Sequence, residues 1–234
     1  MTERTRTVEV GGRPLFVREW GDLDAPVVLF VHGAGDDGAH AAPLAEALAD
    51  TSRLVAPDIP GHGRSPRAEP EAYRPTRMVG LLDGLLDELA VDSAALVGFS
   101  WGAAIGGHFA ARRPERVRSL VLLEGGHVDF QDLRDFDPAA IPGADDVEAA
   151  LGRGLVAEPV VATYPALRGN GIPVLLVTAL RDEAMDQLRI DPLARLRREL
   201  PQAELVRVAA RGHDLLGGDD GTIVDRVRDW LLAH

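Results

Sequence analysis

The chain has 234 residues, 46% of them hydrophobic and 26% charged, as is typical of one globular domain. Its 25 basic and 37 acidic side chains give a formal charge of -12, which disfavours nucleic acid and anionic membrane surfaces as partners. The absence of cysteine excludes disulfides and thiolate metal sites and permits a reducing compartment.

The first residues contain no apolar segment of the kind found in secretion signals. No apolar run in the chain approaches the length of a membrane-spanning helix. We therefore expect a soluble, cytoplasmic protein, and the sequence does not indicate its oligomeric state.

The first part of the chain predicts a hairpin followed by alternating strands and helices. Residues 5–20 alternate apolar and polar on both sides of two glycines, which predicts a β-hairpin. Residues 26–31 form a continuous apolar run, as in a strand buried on both faces of a parallel sheet. Two further elements follow, a helix at residues 40–49 and a strand at residues 53–57.

The middle of the chain continues the same alternation. Apolar residues at three- and four-residue steps predict an amphipathic helix over residues 78–89. A buried strand at 94–99 leads into a helix of small side chains at 101–112, and another strand covers 119–123. Residues 125–172 then lose the alternation, so we interpret them as an inserted cap.

Alternation resumes after the predicted cap. The expected elements are a strand at 173–178, a helix near 191–200, a strand at 203–208 and a helix near 220–232. Strands that alternate with helices favour a mostly parallel central sheet wrapped by helices. Residues 1–124 and 173–234 would form this α/β core, with the short cap of 125–172 inserted between them.

A Gly-x-Ser-x-Gly pattern separates the strand at 94–99 from the helix that follows. A strand passing directly into a helix forces the corner residue, here Ser100, into a strained backbone conformation, and its neighbours must be small. Gly98 and Gly102 supply that clearance. The strain exposes the hydroxyl and leaves the amide of Trp101 at a helix N-terminus, where it can bind an oxyanion. The pattern predicts a nucleophile elbow.

Side chains with catalytic chemistry follow five of the predicted strands. Ligands of parallel sheets bind beyond the carboxyl ends of the strands, so these side chains are expected to meet there. They are His32, Ser100, Glu124, Asp182 and His213.

This arrangement resembles the α/β-hydrolase family over essentially the whole chain. The motifs that carry the resemblance are His-Gly-Ala-Gly at 32–35, Asp-Ile-Pro-Gly-His-Gly-Arg-Ser at 58–65, Gly-Phe-Ser-Trp-Gly at 98–102 and Gly-His at 212–213. The family's chain order of nucleophile, acid and histidine is kept. The joint presence of these motifs in order is far more specific than any one of them.

The resemblance implies a catalytic triad. Ser100 would attack a substrate carbonyl, His213 would take and return the proton, and a carboxylate would orient the imidazole. Asp182 follows the penultimate strand, where the family usually keeps its acid, although Ala179 stands where glycine is more typical. Glu124 is the alternative, because some members place the acid after the preceding strand. We favour Asp182 over Glu124 from the sequence.

The remaining site residues follow from the same resemblance. The backbone amides of Ala34 and Trp101 would form the oxyanion hole. His127 is a candidate for the substrate pocket, while His32 and His62 in their glycine-flanked loops are expected to be structural. The resemblance implies no cofactor and no metal.

Hydrolysis of a small or medium ester, lactone or thioester is the leading interpretation, with a small molecule as the partner. Family members with dehalogenase or epoxide-hydrolase activity carry an aspartate where this chain has Ser100. Hydrolysis of an amide or of a carbon-carbon bond would use the same residues and stays open. A small-molecule receptor on the same scaffold is the alternative from a different class, because fold does not determine function.

Overall fold

The computed structural model describes residues 2–129, 146–180, 184–209, 212–217 and 221–234. Within these ranges the chain forms one eight-stranded sheet in the order β1-β2-β4-β3-β5-β6-β7-β8. The strands are β1 (Arg4–Val10), β2 (Arg13–Trp20), β3 (Val27–Val31), β4 (Arg53–Pro57), β5 (Ala94–Phe99), β6 (Val117–Leu123), β7 (Val174–Leu180) and β8 (Glu204–Ala209).

The first two strands form the predicted hairpin. Gly11 and Gly12 both have positive φ, 57° and 77°, as a tight two-residue turn between twisted strands requires. β2 also pairs antiparallel with β4, whereas all pairs from β4 to β8 are parallel. The predicted mostly parallel α/β sheet is confirmed, and the carboxyl ends of its parallel strands share one edge.

Helices cover both faces of the sheet. They are α1 (Ala42–Leu48), α2 (Pro75–Glu88), α3 (Trp101–Arg112), α4 (Asp146–Ala157), α5 (Tyr164–Asn170), α6 (Ala184–Glu199) and α7 (Thr222–Ala233). Buried side chains of α1 and α7 pack in a core on one face, and those of α2 to α5 pack in a core on the other. β3 is buried at every residue, because Leu29 faces one core and Phe30 the other.

Helix α3 lies close to the sheet because its side chains are small. A Cβ built on Gly106 would lie 3.1 Å from Leu96 and 3.2 Å from Leu120, on β5 and β6. The side chains of α3 are buried from Trp101 to Ala110. The helix of small residues expected from the sequence therefore packs directly on the sheet. Ser100, which precedes it, lies at the end of the central strand β5.

The predicted cap of residues 125–172 is described in its first five residues and from residue 146 onward. Tyr164 and Leu167 of α5 are fully buried in the core that contains α3, and Tyr164 Oη donates to the Gly126 carbonyl at 2.9 Å. Glu158, just after α4, accepts bonds of 2.9 Å from the amide and hydroxyl of Thr76 at the start of α2. The end of the segment is thus tied to the core, and its separation as a cap stays a prediction.

None of the helices in the described part of the chain is both long and apolar enough to cross a membrane.

Candidate active site

Ser100 occupies a sharp turn between β5 and α3. Its φ of 53° and ψ of -114° lie in a region that residues with side chains rarely adopt. The turn is crowded on both sides, since a Cβ on Gly98 would lie 2.6 Å from the Ala103 Cα and one on Gly102 would lie 2.6 Å from the His32 carbonyl oxygen. Only glycine fits at these two positions, as the sequence pattern predicted.

The imidazole of His213 faces the Ser100 hydroxyl. His213 lies in the loop after β8, and its Nε2 is 2.9 Å from Ser100 Oγ. Its Nδ1 is directed to a carboxylate, which favours the tautomer with the proton on Nδ1 and leaves Nε2 to accept one from the hydroxyl. The His213 side chain is 47% exposed and contacts the Phe99 ring at a centroid distance of 5.1 Å. The pair therefore has the geometry of a nucleophile and its base.

The carboxylate beside His213 belongs to Glu124. Glu124 follows β6, its side chain has 0% exposure, and its Oε2 lies 3.4 Å from His213 Nδ1. The other oxygen, Oε1, accepts a 2.9 Å bond from Thr178 Oγ1 and a bond from the Ala179 amide, both on β7. Burial of a carboxylate is costly unless its oxygens are bonded, and these donors meet that need.

The backbone of Glu124 is also unusual. Its φ is 50°, in the left-handed region that a long side chain adopts only when surrounding structure imposes it. Its amide donates to the Val177 carbonyl at 2.9 Å, which continues the β6–β7 ladder up to this residue. The turn of the chain here directs the carboxylate across the end of β7 toward His213.

Asp182, the acid favoured from the sequence, lies outside the described residues. Among the described residues, the carboxylate that contacts His213 is Glu124, the alternative. Thr178 and the Ala179 amide, which hold it, were not identified from the sequence. The signal that could have found them is the polar Thr178 within an otherwise apolar strand, because a buried hydroxyl needs a partner.

The loop after β3 passes beside Ser100. A Cβ on Gly33 would lie 3.2 Å from the Ser100 Cβ. His32 Nδ1 donates to the Gly33 carbonyl at 2.7 Å, and its Nε2 accepts from the Ile59 amide at 3.0 Å. Burial lowers the pKa of His32 to about 4, so the ring is neutral and serves as both donor and acceptor. His32 thus has the structural role expected of it.

The peptide between Gly33 and Ala34 is oriented by this bond. In a trans peptide the C=O and the following N–H point in opposite directions, so the Ala34 amide points away from the His32 ring. Trp101 is the first residue of α3, and its amide is one of the four at the helix start that lack an intrahelical acceptor. Both predicted oxyanion donors thus belong to elements that flank Ser100.

The side chains of His127, the predicted pocket residue, and of Trp101, beside Ser100, are both buried. His127 is 1% exposed, and its Nδ1 donates to the Gly125 carbonyl at 3.1 Å, close to Glu124 in the chain. The indole Nε1 of Trp101 is buried and has no hydrogen-bond partner among the described residues. A role of His127 in the substrate pocket stays a prediction.

The start of α4 covers one side of the site. A Cβ on Gly35, in the loop after β3, would lie 2.5 Å from a carboxylate oxygen of Glu148. A Cβ on Gly61 would lie 2.9 Å from Val147. The predicted cap segment therefore reaches the loop that carries Ala34. The described part of the chain contains no group of three or more His, Asp or Glu side chains that could hold a metal ion.

Known proteins are similar to this chain in sequence and in fold. A family model described as alpha/beta hydrolase fold matches residues 26–152. The chain is 30% identical over 221 residues to a haloalkane dehalogenase of Mesorhizobium japonicum, covering 85% of this chain and 70% of that one. It is 34% identical over 140 residues to lipase LipV of Mycobacterium tuberculosis, covering 59% of this chain and 52% of the lipase.

Solved structures extend the likeness of the fold to the full length of the chain. A thioesterase domain from the curacin biosynthetic pathway superposes with a TM-score of 0.74 at 21% identity, covering 100% of both chains.

Proposed function

The chain belongs to the α/β-hydrolase family of enzymes, and from this premise we propose that it is a serine hydrolase. Its reaction is acyl transfer to water from a small or medium ester, lactone or thioester. The observation that carries the proposal is the 2.9 Å contact between Ser100 Oγ and His213 Nε2 at a strained strand-to-helix turn. A serine hydroxyl is a weak nucleophile until an adjacent base takes its proton.

Glu124 is the acid of this proposed triad. Its buried carboxylate faces His213 Nδ1, which fixes the tautomer in which Nε2 is the base. When Nε2 takes the serine proton, the ring becomes cationic, and the fixed negative charge of Glu124 stabilises that cation in a site from which water is excluded on the carboxylate side.

The proposed reaction has two halves. Ser100 Oγ attacks the carbonyl carbon while His213 Nε2 takes the hydroxyl proton, and the carbonyl electron pair moves to oxygen. The amides of Ala34 and Trp101 donate to that oxyanion. Collapse expels the alcohol or thiol, which receives the proton from Nε2. Water then attacks the acyl-enzyme with the same base, and the acid product and free Ser100 are released.

A serine at the elbow favours acyl transfer over dehalogenation or epoxide opening. Attack of a carboxylate on an sp³ carbon leaves an ester, which water hydrolyses at its carbonyl. Attack of Ser100 Oγ on the same carbon would leave an ether, which this constellation has no means to cleave. The similarity to a haloalkane dehalogenase therefore supports the hydrolase scaffold, and lipase LipV offers the nearer precedent for the reaction.

The test of the proposal is covalent labelling of the proposed nucleophile. Purified protein is treated with a small fluorophosphonate and its intact mass is measured beside Ser100→Ala. Ser93→Ala is the matched control, because Ser93 lies at the opposite end of β5 from Ser100. The expected result is one adduct on the wild type and on Ser93→Ala, and none on Ser100→Ala.

A panel of short-chain esters, lactones and thioesters then identifies the class of acyl bond. We expect Ser100→Ala to lower kcat by at least about 10⁴-fold on the best substrate, because members of a triad act as a unit. Normal turnover by Ser100→Ala would overturn the proposal that Ser100 is the nucleophile. An unlabelled wild type that binds ligands without turning them over would favour a receptor instead.

A further inference from the structure

His40 lies between two carboxylates that belong to different loops of the site. Its Nδ1 is 2.6 Å from Asp36 Oδ2, in the loop that carries Ala34. Its Nε2 is 2.9 Å from Asp214 Oδ1, directly after His213. No motif in the sequence points to a role for His40, and the proposed triad chemistry does not use it.

The ring of His40 is held in place by the sheet as well as by these ion pairs. Its side chain is 10% exposed. It packs edge-on against Phe99, the residue before Ser100, with a centroid distance of 4.5 Å and an interplanar angle of 82°. On its other side it meets Phe30 of β3 at 5.9 Å. The ring therefore contacts β3 and β5 as well as the two loops that contain Asp36 and Asp214.

The bridge needs a protonated ring. A neutral imidazole has one N–H and one lone pair, so it can donate to only one of two flanking carboxylates and turns its lone pair toward the other. An imidazolium donates from both nitrogens and compensates part of both negative charges. His40 makes a hydrogen bond at Nε2 to Asp214 and a close ion-pair contact at Nδ1 with Asp36, and two such anions beside one ring favour the charged form of His40.

The titration of the three groups agrees with this geometry. Burial alone would lower the pKa of His40, but the carboxylates of Asp36 and Asp214 outweigh it and raise the pKa. Burial would raise the pKa values of the two carboxyl groups, but hydrogen bonds from backbone amides and His40 lower both. The neutral ring of His32 also faces Asp36, from the end of β3, while β3 and β5 present the aromatic rings of Phe30 and Phe99.

Asp214 links His40 to the loop that carries His213, the proposed base. Its Oδ1 also accepts from the amides of Leu216 at 3.0 Å and Gly217 at 2.9 Å, which closes the loop immediately after His213. Because the His213 ring is half-exposed, its position depends on the backbone of this loop more than on packing. Through Asp214, His40 and Asp36 this loop is connected to the loop that carries Ala34.

We propose that protonated His40 is a positioning residue that ties the His213 loop to the oxyanion loop through Asp214 and Asp36, and that its deprotonation loosens the site. This inference rests on the proposed triad. It assigns His40 no contact with substrate. Its consequence is a loss of kcat on the alkaline side, as the pH rises through the raised pKa of His40.

The test compares pH profiles of kcat and KM for the wild type, His40→Gln and the control His234→Gln. Glutamine can donate to one carboxylate but cannot carry a charge. His234 is remote, stacked on Trp230 at the end of α7. We expect His40→Gln to lower kcat at neutral pH by about 10- to 100-fold, with little change in KM, and to lack the alkaline loss that the wild type and His234→Gln show.

A second variant removes charge without removing the imidazole. Asp214→Asn keeps an oxygen that can accept from Leu216 and Gly217, so the turn is retained. Because one of the two carboxylates that raise the pKa of His40 is lost, the alkaline loss of kcat should move to lower pH. A purely structural role of the loop would lower kcat without moving this limb of the profile.

The outcomes separate this inference from the proposed function. An alkaline limb that is absent from the wild type, or that is the same in wild type and His40→Gln, overturns the role of His40. If the fluorophosphonate labels the wild type, while Ser100→Ala is inactive and unlabelled, the proposed triad stands. Only the role of His40 is then wrong. If Ser100→Ala retains turnover, the proposed function itself fails, and the bridge to its catalytic groups fails with it.

Discussion

Glu124 Oε2 lies 3.4 Å from His213 Nδ1, although the two residues follow strands that are separated in the sheet by β7. The carboxylate reaches the histidine because Glu124 turns into the left-handed region after β6 and is held by Thr178 and Ala179 of β7. The Glu124 carboxylate, the His213 imidazole and the strand between them therefore form one connected unit, and its parts can be altered separately.

We expect Glu124→Gln to lower kcat by about 10³- to 10⁴-fold, because an amide that donates to Nδ1 stabilises the wrong tautomer of His213. Asp182→Asn, the matched change at the carboxylate favoured from the sequence, should keep most of the activity. Steady-state kinetics on one ester substrate decide between them. Greater damage from Asp182→Asn would return the role of the acid to Asp182.

Thr178→Val should weaken the orientation of the Glu124 carboxylate, the proposed acid, without removing it. The change deletes the hydroxyl that donates to Glu124 Oε1 and leaves the Ala179 amide as its backbone donor. We expect kcat to fall about tenfold and the free energy of unfolding to fall by about 1–2 kcal/mol. Thr178→Ser keeps the hydroxyl and should restore kcat. Equal kcat for Val and Ser variants would contradict this role of Thr178.

The strained backbone of Ser100 predicts a gain in stability when the side chain is removed. At φ 53° and ψ -114° a residue with a Cβ is disfavoured by about 1–3 kcal/mol, while glycine adopts this region freely. Ser100→Gly should therefore have a free energy of unfolding about 1 kcal/mol above that of Ser100→Ala. Chemical denaturation measures it, and both variants should be inactive. A less stable glycine variant would contradict the strain.

His108 predicts a loss of stability in acid. Burial, followed by the charge of Arg112, lowers the pKa of His108 from 6.5 to about 4. The ring accepts from Arg112 at 2.7 Å and donates to the Glu158 carbonyl at 3.0 Å, an arrangement that needs the neutral form. Since the unfolded chain binds this proton more readily, stability rises with pH between these two pKa values and is lost as the pH falls through them.

His108→Gln tests this assignment, because glutamine can both donate and accept but does not titrate. The free energy of unfolding is measured at a series of pH values for this variant, the wild type and His234→Gln. The wild type should lose up to about 3 kcal/mol more than His108→Gln over that pH range. An identical pH slope in wild type and His108→Gln would show that another group causes the loss.

Local patterns were sufficient for most of the secondary structure. The hairpin follows from period-two alternation around Gly11 and Gly12, and the buried strands follow from continuous apolar runs such as β3. Helix ends were less accurate. The predicted helix near 191–200 begins at Ala184, and the one at 40–49 is a 3₁₀ turn, Gly38–Ala41, followed by α1. Ends depend on which backbone groups find tertiary partners, and periodicity does not record this.

The fold class and the strained serine turn follow from the amino-acid sequence alone. Both depend on local sterics and on the periodicity of apolar residues, which are properties of neighbouring positions in the chain. Only the tertiary structure placed Glu124 beside His213 and His40 between Asp36 and Asp214. Those contacts join residues up to 174 positions apart, and a buried carboxylate or imidazole acquires its partners and its charge state only when distant strands and loops meet.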